Sequence, residues 1–181
     1  MIPLRKTAGI PTEYNGVIHR SRLEAKWAML MHRMEWRAAY EAIDGSFYIP
    51  DFIVQGANPI GMEVKDVILW QHLHNHADKV DRGMADHWSG VLLIVGAENL
   101  LGDPRNQCAG IIRDTRTSRS IWMPCQWTRC RVCNGIAVYD SQSNRLAPCG
   151  HRLEGDLLSV EGLETVWNQI RNWTQWKSPT A

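Results

Sequence analysis

Pro50-Asp51 is followed, after eleven intervening residues, by Glu63-Val64-Lys65. On a β-strand, residues two apart share a face. Glu63 and Lys65 therefore project together, while Met62 and Val64 turn toward a core. A turn can bring Asp51, on the preceding strand, back alongside. Two carboxylates and one ammonium are expected to converge at a sheet surface. Mg²⁺ prefers hard oxygen ligands in octahedral geometry. Asp51 and Glu63, with the Val64 carbonyl as a third donor, are the expected ligands for Mg²⁺ or Mn²⁺. Such an ion lowers the pKa of its water and neutralises charge on a phosphate. Lys65 is then placed to orient the attacking water or to stabilise the transition state. The competing structural reading is a solvated Glu–x–Lys ion pair, which contributes little to stability.

A second cluster suits a different metal. Cys130-Arg131-Val132-Cys133 and Cys149-Gly150-His151 are separated by fifteen residues. Tetrahedral zinc takes thiolate and imidazole ligands, and a C-x-x-C turn aims two sulfurs at one ion. Cys130, Cys133, Cys149 and His151 form the expected structural zinc site, with Cys125 as the rival fourth ligand. Metal binding would add to the folding energy. Arg129 and Arg131 flank the first pair and, with Arg145 and Arg152 nearby, suit a nucleic-acid backbone. His72, His74 and His76 lack the intervening glutamate of a zinc protease and read as the polar face of a helix.

These groups must be positioned by regular elements. Residues 1–19 read as an irregular lead-in. Ser21 with Glu24 three positions on is a capping-box pattern, and Leu23, Trp27, Leu30, Met31 and Met34 continue it at helical spacing. His19, Arg20, Arg22 and Lys26 gather at that helix start, where free N–H groups also favour phosphate. A weak strand is expected around 38–43, a turn at Asp44-Gly45, a strand over 47–54 and a strictly alternating strand over 62–67. An amphipathic helix follows over Leu69, Leu73, Ala77, Val80 and Met84. Val91–Val95 is continuously apolar, as a buried strand requires. Short strands are expected within 111–122 around a polar loop, then a last helix from about Val160, with a frayed tail over 177–181.

The Pro50-Asp51…Glu63-Val64-Lys65 pattern resembles the signature of the PD-(D/E)xK nuclease superfamily. Residues Arg20-Ser21-Arg22-Leu23-Glu24-Ala25-Lys26-Trp27-Ala28 resemble the first core helix of its small phage and bacterial members. The resemblance covers residues 17–96, about half the chain. It implies a restriction-endonuclease-like α/β core, ordered helix, three strands, helix, strand around a mixed sheet. It also implies that Glu24 joins the metal site, although Glu24 at that place serves capping equally well. Asp66 stands where many relatives carry glycine.

Composition sets outer limits. Twenty Lys and Arg against nineteen Asp and Glu leave a net charge of +1, so no global basic field announces a nucleic-acid partner. Hydrophobic residues at 44% and charged residues at 22% are ordinary for a globular domain. No apolar run approaches the ~20 residues that span a bilayer. Met1 to Lys6 lacks the apolar stretch of a secretion signal, so a cytoplasmic protein with no membrane partner is expected; the resemblance implies a bacterial or phage-infected host cell. The expected organisation is a nuclease core over 17–104, then a zinc-ribbon- or knuckle-like extension with a C-terminal helix over 105–181. The expected activity is Mg²⁺-dependent hydrolysis of DNA phosphodiesters. Its rivals are a non-catalytic zinc-stabilised nucleic-acid-binding protein and a protein-interaction module of phage or defence origin.

Overall fold

The computed structural model describes residues 9–42, 48–84, 88–102, 108–117, 119–153, 160 and 162–174. The expected turn at Asp44-Gly45 and the tail over 177–181 lie outside the described residues.

The lead-in is more regular than expected. β1 (Thr12–Tyr14) and β2 (Val17–His19) pair antiparallel, joined at Asn15-Gly16 with φ of 51° and 78°. That dipeptide tolerates positive φ, which a tight hairpin turn needs. α1 (Arg22–Arg33) starts at Ser21, whose hydroxyl accepts a hydrogen bond from the Glu24 amide at 3.1 Å. Its apolar stripe buries Ala25, Trp27, Met29, Leu30 and Met31.

Three short strands follow: β3 (Ala38–Tyr40), β4 (Phe52–Val54) and β5 (Ile60–Val64). β4 begins after Pro50, which has no N–H for a ladder. β5 begins and ends earlier than the alternation suggested, so Lys65 stands just beyond its last residue. A 3₁₀ turn (Trp70–Leu73) leads into α2 (His74–Met84), then β6 (Val91–Val95). From α1 to β6 the order is helix, three strands, helix, strand.

β7 (Gly110–Asp114), β8 (Met123–Arg129), β9 (Ile136–Asp140), β10 (Arg145–Ala147) and α3 (Leu163–Thr174) complete the described chain. One mixed sheet runs β10-β9-β8-β7-β6-β5-β4-β3. All its neighbours pair antiparallel except β5 and β6, which α2 joins as a parallel crossover. β8 spends Met123 to Cys125 on β7 and Gln126 to Arg129 on β9. The sheet therefore passes without a break across the division expected at residue 104.

Both faces of the sheet centre are covered. α1 and α3 pack with Phe52, Ile60, Met62 and Leu93 on one side. α2 packs with Leu92, Ile94 and Ile111 on the other. Tryptophans bind the first layer together. Trp27 lies 5.1 Å from Trp167 and 6.3 Å from Trp127, ring centre to ring centre, and Trp36 lies 5.7 Å from Trp127. Each indole N–H is spent: Trp27 on the Gly96 carbonyl at 2.8 Å, Trp36 on Ile136 at 2.8 Å, Trp127 on Asn99 at 2.7 Å and Trp167 on Glu98 at 2.5 Å. These four rings fill space as phenylalanine would and also satisfy buried acceptors, which gives part of the nine tryptophans and two phenylalanines a physical reason. No helix among the described residues is long and apolar enough to cross a membrane.

Trp27→Phe keeps an aromatic ring but strands the Gly96 carbonyl. It should cost about 1–3 kcal/mol, the penalty for a buried unpaired polar group. A urea midpoint equal to that of the parent would show that the hydrogen bond contributes nothing.

Candidate functional site

The β4–β5 ladder aligns Phe52 with Met62, Ile53 with Gly61 and Val54 with Ile60. One step further along, Asp51 comes opposite Glu63. Met62 and Val64 do turn toward the α1 layer. Glu63, however, does not reach an open sheet surface as expected. All five residues of β5 are buried, and Glu63 is 5% and Asp51 3% exposed. Helices cover both faces of this strand, so the two carboxylates meet inside the protein.

Asp51 Oδ2 accepts the Val64 N–H at 2.7 Å, and Oδ1 accepts Arg20 Nη2 at 2.6 Å. Lys65 Nζ donates to Glu63 Oε1. Lys65 is half-buried rather than exposed. Glu63 Oε2 is closed to water and has no hydrogen-bond partner. Burial first, and the Glu63 charge second, push the Asp51 carboxyl up to about 7, against the Val64 N–H. Together Glu24, Glu41, Asp51 and Glu63 outnumber Arg20 and Lys65. Four carboxyl groups thus share two cations, and one oxygen of the buried Glu63 is left without a partner.

Two tyrosines belong to this site that spacing did not reveal. The Tyr40 hydroxyl donates to Glu24 Oε2 at 2.5 Å and accepts the Arg20 N–H at 2.9 Å. Tyr48 is half-buried beside Glu63 and Asp51, and burial followed by the Glu63 charge holds its phenol above the ordinary range. Its hydroxyl approaches Glu63 but closes no hydrogen bond. Gly83 makes room for it, since a Cβ there would sit 2.2 Å from the Tyr48 Cβ.

Glu24 does cap the helix. Ser21 Oγ donates to its Oε1 at 2.9 Å, and the Arg20 N–H donates to Oε2 at 3.1 Å. Both oxygens are therefore engaged. The cationic group expected on nucleic acid is redistributed. Arg20 bonds Asp51, Glu41 and Glu24 while its side chain stays 61% exposed; burial works against its charge, but these partners and Tyr40 outweigh it. His19 is 2% exposed, so the expected phosphate contact is corrected: burial lowers its pKa, and both ring nitrogens are shut off from solvent. Lys26 is half-buried, its pKa lowered chiefly by burial. Arg22 and Arg131 are exposed, and Arg129 spends Nη1 on the Asn134 carbonyl at 2.8 Å. His72 and His74 are exposed along the 3₁₀ turn and α2.

The second cluster assembles at the far edge of the sheet. The β8–β9 turn carries Cys130 and Cys133, closed by Asn134 N–H to the Cys130 carbonyl at 2.8 Å. The segment after β10 carries Cys149 and His151, turning at Gly150 with φ of 80°. The four ligand atoms all lie within 4.8 Å of one another, and Cys130 Sγ is 3.3 Å from His151 Nδ1. One ion with bonds of about 2.0–2.3 Å reaches such a set after small shifts. The cluster can thus hold a metal such as zinc. Burial opposes ionisation of Cys130, yet the Cys133 and Val132 amides, then Cys133 and His151, bring it down to about 7. Burial, then the charges of Cys130 and Cys133, push Cys149 up to about 12. Cys149 would become a thiolate ligand only with a cation to offset these neighbouring charges. Cys125, the rival ligand, lies elsewhere: it is 1% exposed, and its thiol donates to the Gly110 carbonyl at 3.4 Å.

The two clusters are mechanically joined. The turn between β4 and β5 docks on the Cys149 loop, with Asn58 N–H to the Pro148 carbonyl at 3.0 Å. A Cβ at Gly56 would lie 2.2 Å from that same carbonyl oxygen. Comparison with protein-family models, with curated proteins and with solved structures returns no match.

Two measurements check this geometry. His151→Ala should release the metal while Cys125→Ser retains it, read as zinc content after purification in zinc-containing medium. The opposite result would hand the site to Cys125. The second concerns pH. A carboxyl whose folded pKa of about 7 exceeds its ordinary 3.8 binds its proton more tightly in the folded state. Its contribution is present at low pH and fades as pH rises between those values. In Mg²⁺-free buffer, Asp51→Asn should therefore gain melting temperature over the parent as pH climbs through that window. A constant difference across it would mean that Asp51 is not destabilised by charge.

Proposed function

We propose that the chain is a Mg²⁺-dependent nuclease of the PD-(D/E)xK type that hydrolyses DNA phosphodiesters, with zinc as a structural ion at the Cys130–Cys133–Cys149–His151 cluster. The observation that carries this reading is the buried meeting of Asp51 and Glu63, one oxygen of Glu63 unpartnered, beside Lys65. The order helix, three strands, helix, strand supports it, because the resemblance implies that order.

Asp51 and Glu63 would hold Mg²⁺, with the Val64 carbonyl as the third protein donor. When bound, the ion supplies charge neutralisation on the phosphate and a water of lowered pKa. Glu63 aims Lys65 at that position, where the ammonium can hold the attacking water or a developing oxyanion. The Val64 N–H fixes the Asp51 carboxylate, leaving Oδ1 for a cation. Arg20 now bonds that oxygen, so a divalent ion and Arg20 compete for it. Released from Asp51, the already exposed Arg20 would meet the phosphate backbone beside Arg22 at the α1 N-terminus. Glu24 and Tyr40 hold the Arg20 backbone in place and so position this cation. Soft thiolates favour zinc and hard carboxylates favour magnesium, which keeps the two ions at separate sites.

Incubation with supercoiled, linear, single-stranded and branched DNA, in Mg²⁺, Mn²⁺ or EDTA, tests the activity. Lys65→Ala should abolish cleavage and also lower stability, because it leaves the buried Glu63 carboxylate without its ammonium partner; full activity in the folded variant would remove Lys65 from the mechanism. Brief EDTA treatment should stop cleavage without releasing zinc, and Mg²⁺ alone should restore it. Restoration by Zn²⁺ alone would move catalysis to the cysteine cluster. DNA binding without cleavage under every metal would leave a zinc-stabilised binding protein.

A further inference from the structure

A cleft of about 260 Å³ opens between the β1–β2 hairpin, α1 and β3. Tyr14, His19, Trp36, Tyr40 and Phe52 line it, with Arg37 among the polar groups. We propose that this cleft receives one unpaired base of the strand whose phosphate reaches Asp51 and Glu63, so that the preferred substrate is single-stranded or locally opened nucleic acid. This inference rests on the nuclease reading.

Position argues for it first. Tyr40 is a wall shared with the carboxylate site. Its hydroxyl holds Glu24 at 2.5 Å, while its ring packs 4.4 Å from His19 and 5.3 Å from Phe52. Phe52 in turn follows Asp51 directly. Cleft and carboxylates are thus one side chain apart, a separation that a single nucleotide spans between its base and its phosphate.

Chemistry argues for it next. His19 is deeply buried, held toward its neutral form by that burial, and partnered at neither nitrogen. The floor is therefore no phosphate site; it suits a flat, neutral ring. Buried polar atoms without partners are rare and call for a reason. A base seated there covers this imidazole, and a small shift of the ring would bring its closed-off nitrogens to the donors and acceptors of the base edge. Aromatic walls stack on every base with little regard to sequence, and the exposed Arg37 can lie over the ring or meet a neighbouring phosphate. Size argues last. The cleft is smaller than the ~300–1,000 Å³ of pockets that take larger ligands, so it admits one ring system and excludes a duplex.

The test uses the full, zinc-loaded chain in Mg²⁺-free buffer, where no cleavage occurs. Binding of a short fluorescent single strand is compared with that of an equally long strand built of abasic residues. The base-bearing strand should bind at least about tenfold more tightly, as expected for one stacked base. Ala28→Met, which fills the cleft from α1, should bring the two affinities together. If that variant does not fold, Arg37→Ala on the exposed rim should narrow the same ratio. Equal affinity of the parent for both strands overturns the cleft, and leaves the nuclease reading intact if Mg²⁺ still drives plasmid cleavage. A persisting base preference with no cleavage under any metal supports the cleft and overturns the nuclease reading.

Discussion

Two carboxyl groups brought together inside the protein are the constraint to which the surrounding groups answer. Desolvation makes each carboxylate costly unless it is paired or neutralised. Glu63 sits on a strand covered from both sides, and Asp51 lies against it at the end of the ladder. The protein responds with one backbone N–H, one ammonium and one guanidinium. Arg20 needs its own support, and Tyr40, Glu24 and Glu41 supply it. The cap of α1 is thereby part of the same network as the strand carboxylates. Changing any one of these groups shifts the balance of charge for the others, so their effects should not add independently.

The second cluster bears on the first through packing. The turn between β4 and β5 carries no chemistry of its own, yet it sets how Asp51 and Glu63 face each other. It rests on the Pro148 carbonyl, between the end of β10 and Cys149. Trp36, just after α1, donates to Ile136 at the start of β9. An ion that fixes the Cys130–His151 cluster would therefore also stiffen the support beneath the carboxylate hairpin. Division of the sheet's pairing within β8 makes this arrangement possible, because the same strand belongs to the central layer and to the metal-bearing hairpin.

The tryptophans link these parts at the level of the core. Trp27 on α1, Trp127 on β8 and Trp167 on α3 pack as one group, and their N–H donors are satisfied by residues 96–99 just after β6. That loop follows the strand paired with β5. Each ring brings large apolar area together with one directional bond, which makes the register of helix against sheet specific rather than merely favourable.

What could be read from the chain alone was local. Ser21 and Glu24 announced the start of α1 because a capping box lies within one helical turn. Glu63 and Lys65 were paired by strand alternation, and the Cys130–Cys133 and Cys149–His151 pairs by the short turns that aim two ligands at one ion. The β1–β2 hairpin was missed, because flanking strands of three residues each carried too little pattern to set Asn15-Gly16 apart from an irregular lead-in. The rest depended on pairings between residues far apart. Only the folded sheet decided that Asp51 stands opposite Glu63, that α1 and α2 bury β5 from both sides, that Arg20 is tied to Asp51 and that His19 turns inward. It likewise placed Tyr40 and Tyr48 beside the carboxylates and set Cys125 apart from the metal ligands. Short-range spacing determines which side chains a turn or strand presents together; which of them end up without water is set by what the remote chain packs against them.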